Sequence, residues 1–227
     1  MDSQGRTTDL LSGKPDSTKP WRTRSPGLLL PSLLLLLLPA GCSPTPSVNE
    51  DLPRGTARIP AEGPYHHPYS GITFPTILAG CPRESLSSLT SSGSAVSATY
   101  DSWNLFARLS VRLDLFPRGK EGHPLSLEEQ FRETLGSYLA RTEGAVPVEE
   151  EEVELSREDG RASGKSARIC YSARMDGWKR EVCTRIFLFA TDHWFILYRI
   201  TYPSSQETRV QGKIRRVLQD FRWNVHT

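Results

Sequence analysis

The 227-residue chain contains no GxxxxGK[ST] phosphate loop, no GxGxxG dinucleotide fingerprint, no HExxH metal helix and no GxSxG nucleophile elbow. Each of those chemistries needs a fixed spacing, and none has a recognisable carrier here. Histidine is scarce: His66, His67, His123, His193 and His226 all fall in segments that read as loops, turns or the C-terminus. A Ser-His-acid arrangement needs a base held by its neighbours, and His193 beside Asp192 reads as turn chemistry instead. His66-His67 is the adjacent pair. In an extended chain neighbouring side chains point apart, and no third ligand accompanies them, so no metal is expected. No catalytic residue and no cofactor are expected either, although a carboxylate pair drawn from distant positions would leave no local signature.

Charge of one sign is also missing. The net charge is +2, but five of the 28 Lys and Arg and three of the 26 Asp and Glu precede Cys42, which leaves equal numbers after it. A neutral domain offers no electrostatic reason to expect nucleic acid as a partner. Long apolar runs are absent as well. Residues 28–40 form a leucine-rich stretch interrupted by Pro31, Ser32 and Pro39, shorter than the roughly 20 residues that span a bilayer.

That stretch follows Arg6, Lys14, Lys19, Arg22 and Arg24 and ends in Ala40-Gly41-Cys42-Ser43. A basic region, a short apolar run and small residues form the pattern of an export signal. Ala-Gly-Cys after leucines resembles the lipobox of bacterial lipoproteins, with Pro39 where that class carries an aliphatic residue. The resemblance implies removal of residues 1–41, lipidation of Cys42 and a lipid-anchored protein on the exported side of the membrane, in the cell envelope. Residues 42–69 carry Pro44, Pro46, Pro53, Pro60, Pro64 and Pro68 and read as an extended tether. Residues 70–227 then form one domain.

The domain is organised around Ser166–Tyr202. Asp176-Gly177 is a two-residue hairpin signal that pairs Tyr171 with Val182, Ile169 with Thr184 and Cys170 with Cys183. A second turn at Asp192-His193 leads into Trp194–Tyr202. Phe187, Phe189, Ile196, Tyr198 and Ile200 share one face, and Ile186, Leu188, Phe195 and Leu197 the other, so both faces need cover. Upstream, Ala95–Tyr100 and Leu105–Phe116 read as a hairpin around Asp101–Asn104, the second arm alternating with period two. Gly71–Ala79 reads as a strand entry and the Ser-rich Arg83–Ser94 as a loop. Ser126/Glu129 and Ser204/Glu207 each have capping-box spacing ahead of an amphipathic helix. Arg209, Lys213, Arg215 and Arg216 lie on the outer face of the last helix, and Glu149–Glu152 reads as a solvated edge.

The expected fold class is α+β: a central antiparallel sheet of about six strands with helices packed on its faces. The succession of elements, with Leu197–Pro203 closing the last strand and Val217–Phe221 closing the last helix, resembles the PsbP-like α/β/α sandwich over Gly71–Asn224. That resemblance implies a non-enzymatic accessory protein that helps assemble or regulate a larger complex, and it transfers no functional residue. The function expected is therefore a membrane-anchored binding or assembly module whose partner is an envelope protein. The alternative is a small hydrolase or ligand carrier with a pocket between sheet and helix.

The hairpin register also predicts a Cys170–Cys183 disulfide. Counting outward from the turn, these two fall on a non-hydrogen-bonded pair, where Cα atoms approach to about 4.5 Å, and export permits oxidation. Closing a loop of about 15 residues contributes roughly 3 kcal/mol on the chain-entropy model. Cys81 is left as a small buried residue. Arg168 and Arg185 face each other on the same register. For the N-terminus the expected outcome is a mature chain that begins at lipid-modified Cys42. Intact mass of the protein made in a bacterial host checks it, and a product that keeps residues before Cys42 overturns it.

Overall fold

A computed structural model of the chain describes residues 56–103, 108–119, 124–157, 160–175 and 178–223. Cys42, His123, His226 and the Asp176-Gly177 turn lie outside them. In chain order the elements are β1 (Ala57–Arg58), β2 (Tyr65–His66), β3 (Thr73–Phe74), β4 (Ile77–Leu78), β5 (Cys81–Ser88), β6 (Val96–Trp103) and β7 (Arg108–Pro117). Then follow α1 (Leu127–Arg141), β8 (Val146–Arg157), β9 (Gly160–Met175), β10 (Trp178–Ala190), β11 (Trp194–Pro203), a 3-10 turn (Ser204–Gln206) and α2 (Glu207–Asp220). A nine-stranded sheet runs β1-β5-β6-β7-β11-β10-β9-β8, with β4 also paired to β5, while β2 and β3 form a separate ribbon. No helix among the described residues is long and apolar enough to cross a membrane.

This corrects the expected fold class. The described residues are 54% strand and 21% helical, with nine strands in one antiparallel sheet. Two helices of 15 and 14 residues do not make the helical layers of an α+β sandwich. The excess strand comes from segments with weak strand signals. Arg83–Ser88, expected as loop, sits within β5, where Ser85 and Ser87 pair with Thr99 and Ser97. Small side chains do not obstruct a ladder, and two flanking strands supply the hydrogen bonds that propensity does not. Glu149–Glu152 lies within the 12-residue edge strand β8 and is exposed, as the solvated-edge reading requires. Asp101, Ser102 and Trp103, expected in the turn of the upstream hairpin, are strand instead and pair with Ser110, Leu109 and Arg108.

The central meander has the expected register. Met175 pairs with Trp178, Tyr171 with Val182 and Cys170 with Cys183. The two cysteines are joined, with Cα atoms 4.1 Å apart. Thr191 and Trp194 close the next turn through backbone N–H to carbonyl at 2.8 Å. The two apolar faces separate as predicted. Phe187, Phe189, Ile196, Tyr198 and Ile200 join one buried cluster with Val210, Ile214 and Val217 of α2. Ile186, Leu188, Phe195 and Leu197 join another with Phe131 and Leu135 of α1.

The two caps diverge. Ser126 and Glu129 form the reciprocal capping box of α1. At α2 the N-cap is Gln206, with no side-chain cap bond. Glu207 there turns toward the sheet, and Ser204 Oγ donates to Glu181 at 3.0 Å. The described part of the expected tether is folded onto the domain. Ala57 and Arg58 pair with Ser88 and Ser87. Arg83 donates to the carbonyls of Ala61 (2.8 Å), Gly63 (2.6 Å) and Phe74 (2.9 Å).

Gly164 lies opposite Phe189 across the β9–β10 ladder. A Cβ there would stand 2.5 Å from the Phe189 ring and 2.7 Å from the Leu188 carbonyl oxygen. A ring alone can turn aside, but the backbone oxygen is fixed by the sheet. Gly164→Ala is expected to cost about 1–3 kcal/mol, read as a lowered urea midpoint. An unchanged midpoint would overturn the tight register at this site.

Candidate binding surface

The free edge of the sheet carries the features of a binding surface. At the start of β8, Val146 pairs with Cys170 and Pro147 with Ile169. The ladder then slips, so that Glu149 rather than Val148 meets Arg168. A proline removes one N–H and a bulge breaks the pairing, two devices that stop another strand from adding to an edge. The side chains are nonetheless apolar and open: Val146 is 60% and Val148 52% exposed. They line a surface concavity of about 390 Å³ with Gly144, Cys170, Tyr171, Ser172 and Glu181. The disulfide forms part of its wall. This end of the edge is apolar and open, and the proline and the bulge interrupt its backbone pairing.

A charge network holds the wall from behind. Arg168 and Arg185 face each other as the register requires, but not as a bare like-charge pair. Glu149 from β8 lies 3.5 Å from Arg168 and 3.7 Å from Arg185. Glu207 from α2 lies 3.5 Å and 3.3 Å from the same two guanidiniums. Tyr202 Oη donates to Glu207 at 2.8 Å. Burial first, then the neighbouring Glu207 carboxylate, push the Tyr202 hydroxyl up to about 12, so it stays a donor. Two positive and two negative groups thus fasten β8, β9, β10 and α2 together beside the disulfide.

A second ionic centre lies on the face of β7 and β11 away from the α2 cluster. Asp114 is 4% exposed. It accepts from Arg112 Nε at 3.1 Å and from Arg199, and Arg112 also donates to Ser97 Oγ at 2.9 Å. Burial alone would raise the Asp114 carboxyl. Arg199 and Arg112 outweigh it and hold the group below the ordinary carboxylate range.

Under α2, Lys213 Nζ donates to Ser102 Oγ at 2.5 Å, next to Cys81, which is fully buried. Burial pushes the Cys81 thiol up, and the Lys213 charge works against that. Lys213, expected on the outer basic face, turns inward to this serine. A further concavity is lined by Arg58–Glu62 and Arg83–Leu86, and neither concavity includes a residue of α2.

The histidines resolve separately. His67, read as linker, is buried: Nε2 donates to the Gly93 carbonyl at 3.1 Å, and Nδ1 accepts from Ser70 Oγ at 2.8 Å. Its ring meets Trp194 edge-on at 5.2 Å. Burial lowers its pKa, and the Gly93 bond partly offsets this. His66 instead bonds Thr73 Oγ1 at 2.7 Å at the surface, so the two rings do not converge. Among the described residues no three His, Cys, Asp or Glu side chains are placed to hold a metal. His193 is exposed in the β10–β11 turn. No protein-family model matches the chain, and no curated protein matches it either.

Removing the Asp114 charge leaves two guanidiniums without their shared carboxylate. Asp114→Asn is expected to lose about 3–5 kcal/mol of stability at neutral pH. The sign with pH follows from the lowered folded-state pKa. The carboxylate's contribution is complete above the unfolded value, near ~3.9, and fades as pH falls through the folded value. Urea midpoints measured from neutral to acid pH should fall in the parent and show less of that acid limb in the variant. Parallel curves would overturn the assignment.

Proposed function

We propose that this is a non-enzymatic binding or assembly module of the cell envelope. It is anchored to the membrane through lipidated Cys42 and holds another envelope protein at the Val146–Val148 concavity. The observation that carries the reading is the pair of exposed valines flanking a proline at the bulged start of the edge strand, beside a disulfide and a four-residue charge network. Isolated exposed valines are ordinary. Two of them lining a rigid concavity form the apolar centre with polar rim that protein interfaces use. Glu181 supplies an acidic group in its lining.

The hydrolase or carrier alternative has less support. The space between the sheet and α2 is occupied by Cys81, Tyr100, Tyr198, Val210, Ile214 and Val217, all buried in one cluster. The polar pair there, Ser102 and Lys213, satisfies itself.

A photo-crosslinking residue placed at Val148, in cells, is expected to give one discrete adduct. The same residue at Glu133 on the exposed side of α1 should give none. Val146→Lys should reduce the Val148 adduct at unchanged protein level. Absence of an adduct at Val148, or equal adducts at both positions, would remove the reading.

A further inference from the structure

The β9–β10 hairpin outruns the sheet that contains it. β8 begins at Val146, opposite Cys170, and β11 ends at Pro203, opposite Val182. Beyond those points Tyr171–Met175 and Trp178–Glu181 pair with each other, and among the described residues no further strand flanks them. The result is a two-stranded arm. Isolated two-stranded ribbons are marginal in water, and this one is cross-linked where it leaves the sheet, by Cys170–Cys183.

The arm is two-faced. By register and pleat, Tyr171, Ala173, Trp178 and Arg180 share one side, and Ser172, Arg174, Lys179 and Glu181 the other. Trp178, the first residue of β10, is 71% exposed, the most open of the large apolar side chains described. Arg174, Lys179 and Arg180 around it are all exposed. Among the described residues of the arm the opposing charge is Glu181, which accepts a bond from Ser204. A tryptophan this open, near the end of a two-stranded arm, has no surrounding rim to exclude water, which a protein hot spot requires. An indole with Arg180 on its own side of the arm and Arg174 and Lys179 on the other instead matches the membrane interface, where Trp sits at headgroup level and Lys and Arg reach lipid phosphates.

We propose that the tip of the β9–β10 arm docks on an anionic membrane surface, with Trp178 in the headgroup layer and Arg174, Lys179 and Arg180 on lipid phosphates. The proposal rests on the membrane-anchored reading of Cys42. A tethered domain meets the bilayer at high effective concentration, so a weak second contact suffices to orient it. With the arm tip seated on lipid, the Val146–Val148 concavity near the arm's base would lie close to the membrane plane.

The test uses the full chain and its Trp178→Ala variant on vesicles of phosphatidylcholine with brominated acyl chains, alone or mixed with phosphatidylglycerol. The fluorescence that Trp178→Ala removes reports Trp178 by itself. It is expected to be quenched on the phosphatidylglycerol vesicles. The quenching should weaken about tenfold in the double variant Arg174→Glu/Lys179→Glu and at high salt. A Trp178 component that stays unquenched on those vesicles overturns the proposal. So does a component shielded only when a lipid-free envelope extract is added, which would make the occupant a protein. A count of free thiols confirms that each variant keeps its disulfide. The mass of Cys42 separates the two readings: lipidated Cys42 with unquenched Trp178 sinks the arm alone, and quenched Trp178 without lipid at Cys42 sinks the anchor alone.

Discussion

The pairing of β9 with β10 fixes more of this structure than any other contact. One register places Cys170 against Cys183, Arg168 against Arg185 and Gly164 against Phe189. A slip by one residue would invert every side chain on one strand. The cysteines would leave each other, and Phe189 would lose the only kind of residue whose backbone lets its ring lie flat on the ladder. The disulfide, the charge network and the division of apolar residues between two buried clusters are therefore consequences of a single alignment. The network adds its own condition, since Glu149 and Glu207 must arrive from β8 and α2 to neutralise the guanidiniums that the register brings together.

Much of that alignment was legible in the residues. Asp176-Gly177 set the count, and alternation in Trp194–Tyr202 and Leu109–Leu115 set the faces. The segments that misled were those whose local signal and tertiary environment disagree. Ser85 and Ser87 have no strong strand preference and became strand because β6 was there to pair with. Glu207 has capping-box spacing from Ser204, yet two arginines attract its carboxylate more strongly than one helix end does. His67 sat in a proline-rich stretch of low hydrophobicity, and nothing local foretold the Ser70, Gly93 and Trp194 that enclose it. Lys213 looked outward by helical periodicity, and a buried serine drew it in. The strand excess that overturned the α+β expectation has the same origin, because strand formation depends on partners distant in sequence.

The candidate surface was not legible at all. Nothing in the residues around Val146 and Val148 marks them as an open apolar pair. Their exposure follows from β8 being last in the sheet, and topology of that kind depends on α1 carrying the chain from β7 across to the far edge. The sequence signal that bears on it is the proline between the valines, a residue that edges tolerate and interiors do not. Three polar centres elsewhere are internally paired: Asp114 is matched by arginines, Ser102 by Lys213 and Tyr202 by Glu207, and such matching fixes these side chains in place.

The way the N-terminal strap is attached has a mechanical consequence. Ala57 and Arg58 lie antiparallel along β5, and the Arg83 guanidinium grips the Ala61, Gly63 and Phe74 carbonyls a few residues on. Tension arriving along the chain ahead of Ala57 would first load the short β1 ladder and then this clamp, before reaching the core of the sheet. Bonds pulled in parallel along a strand resist together, whereas bonds opened one after another at a hairpin end yield singly. The strap would thus act as a strain relief, so that force on the chain ahead of it is spent at the margin of the sheet.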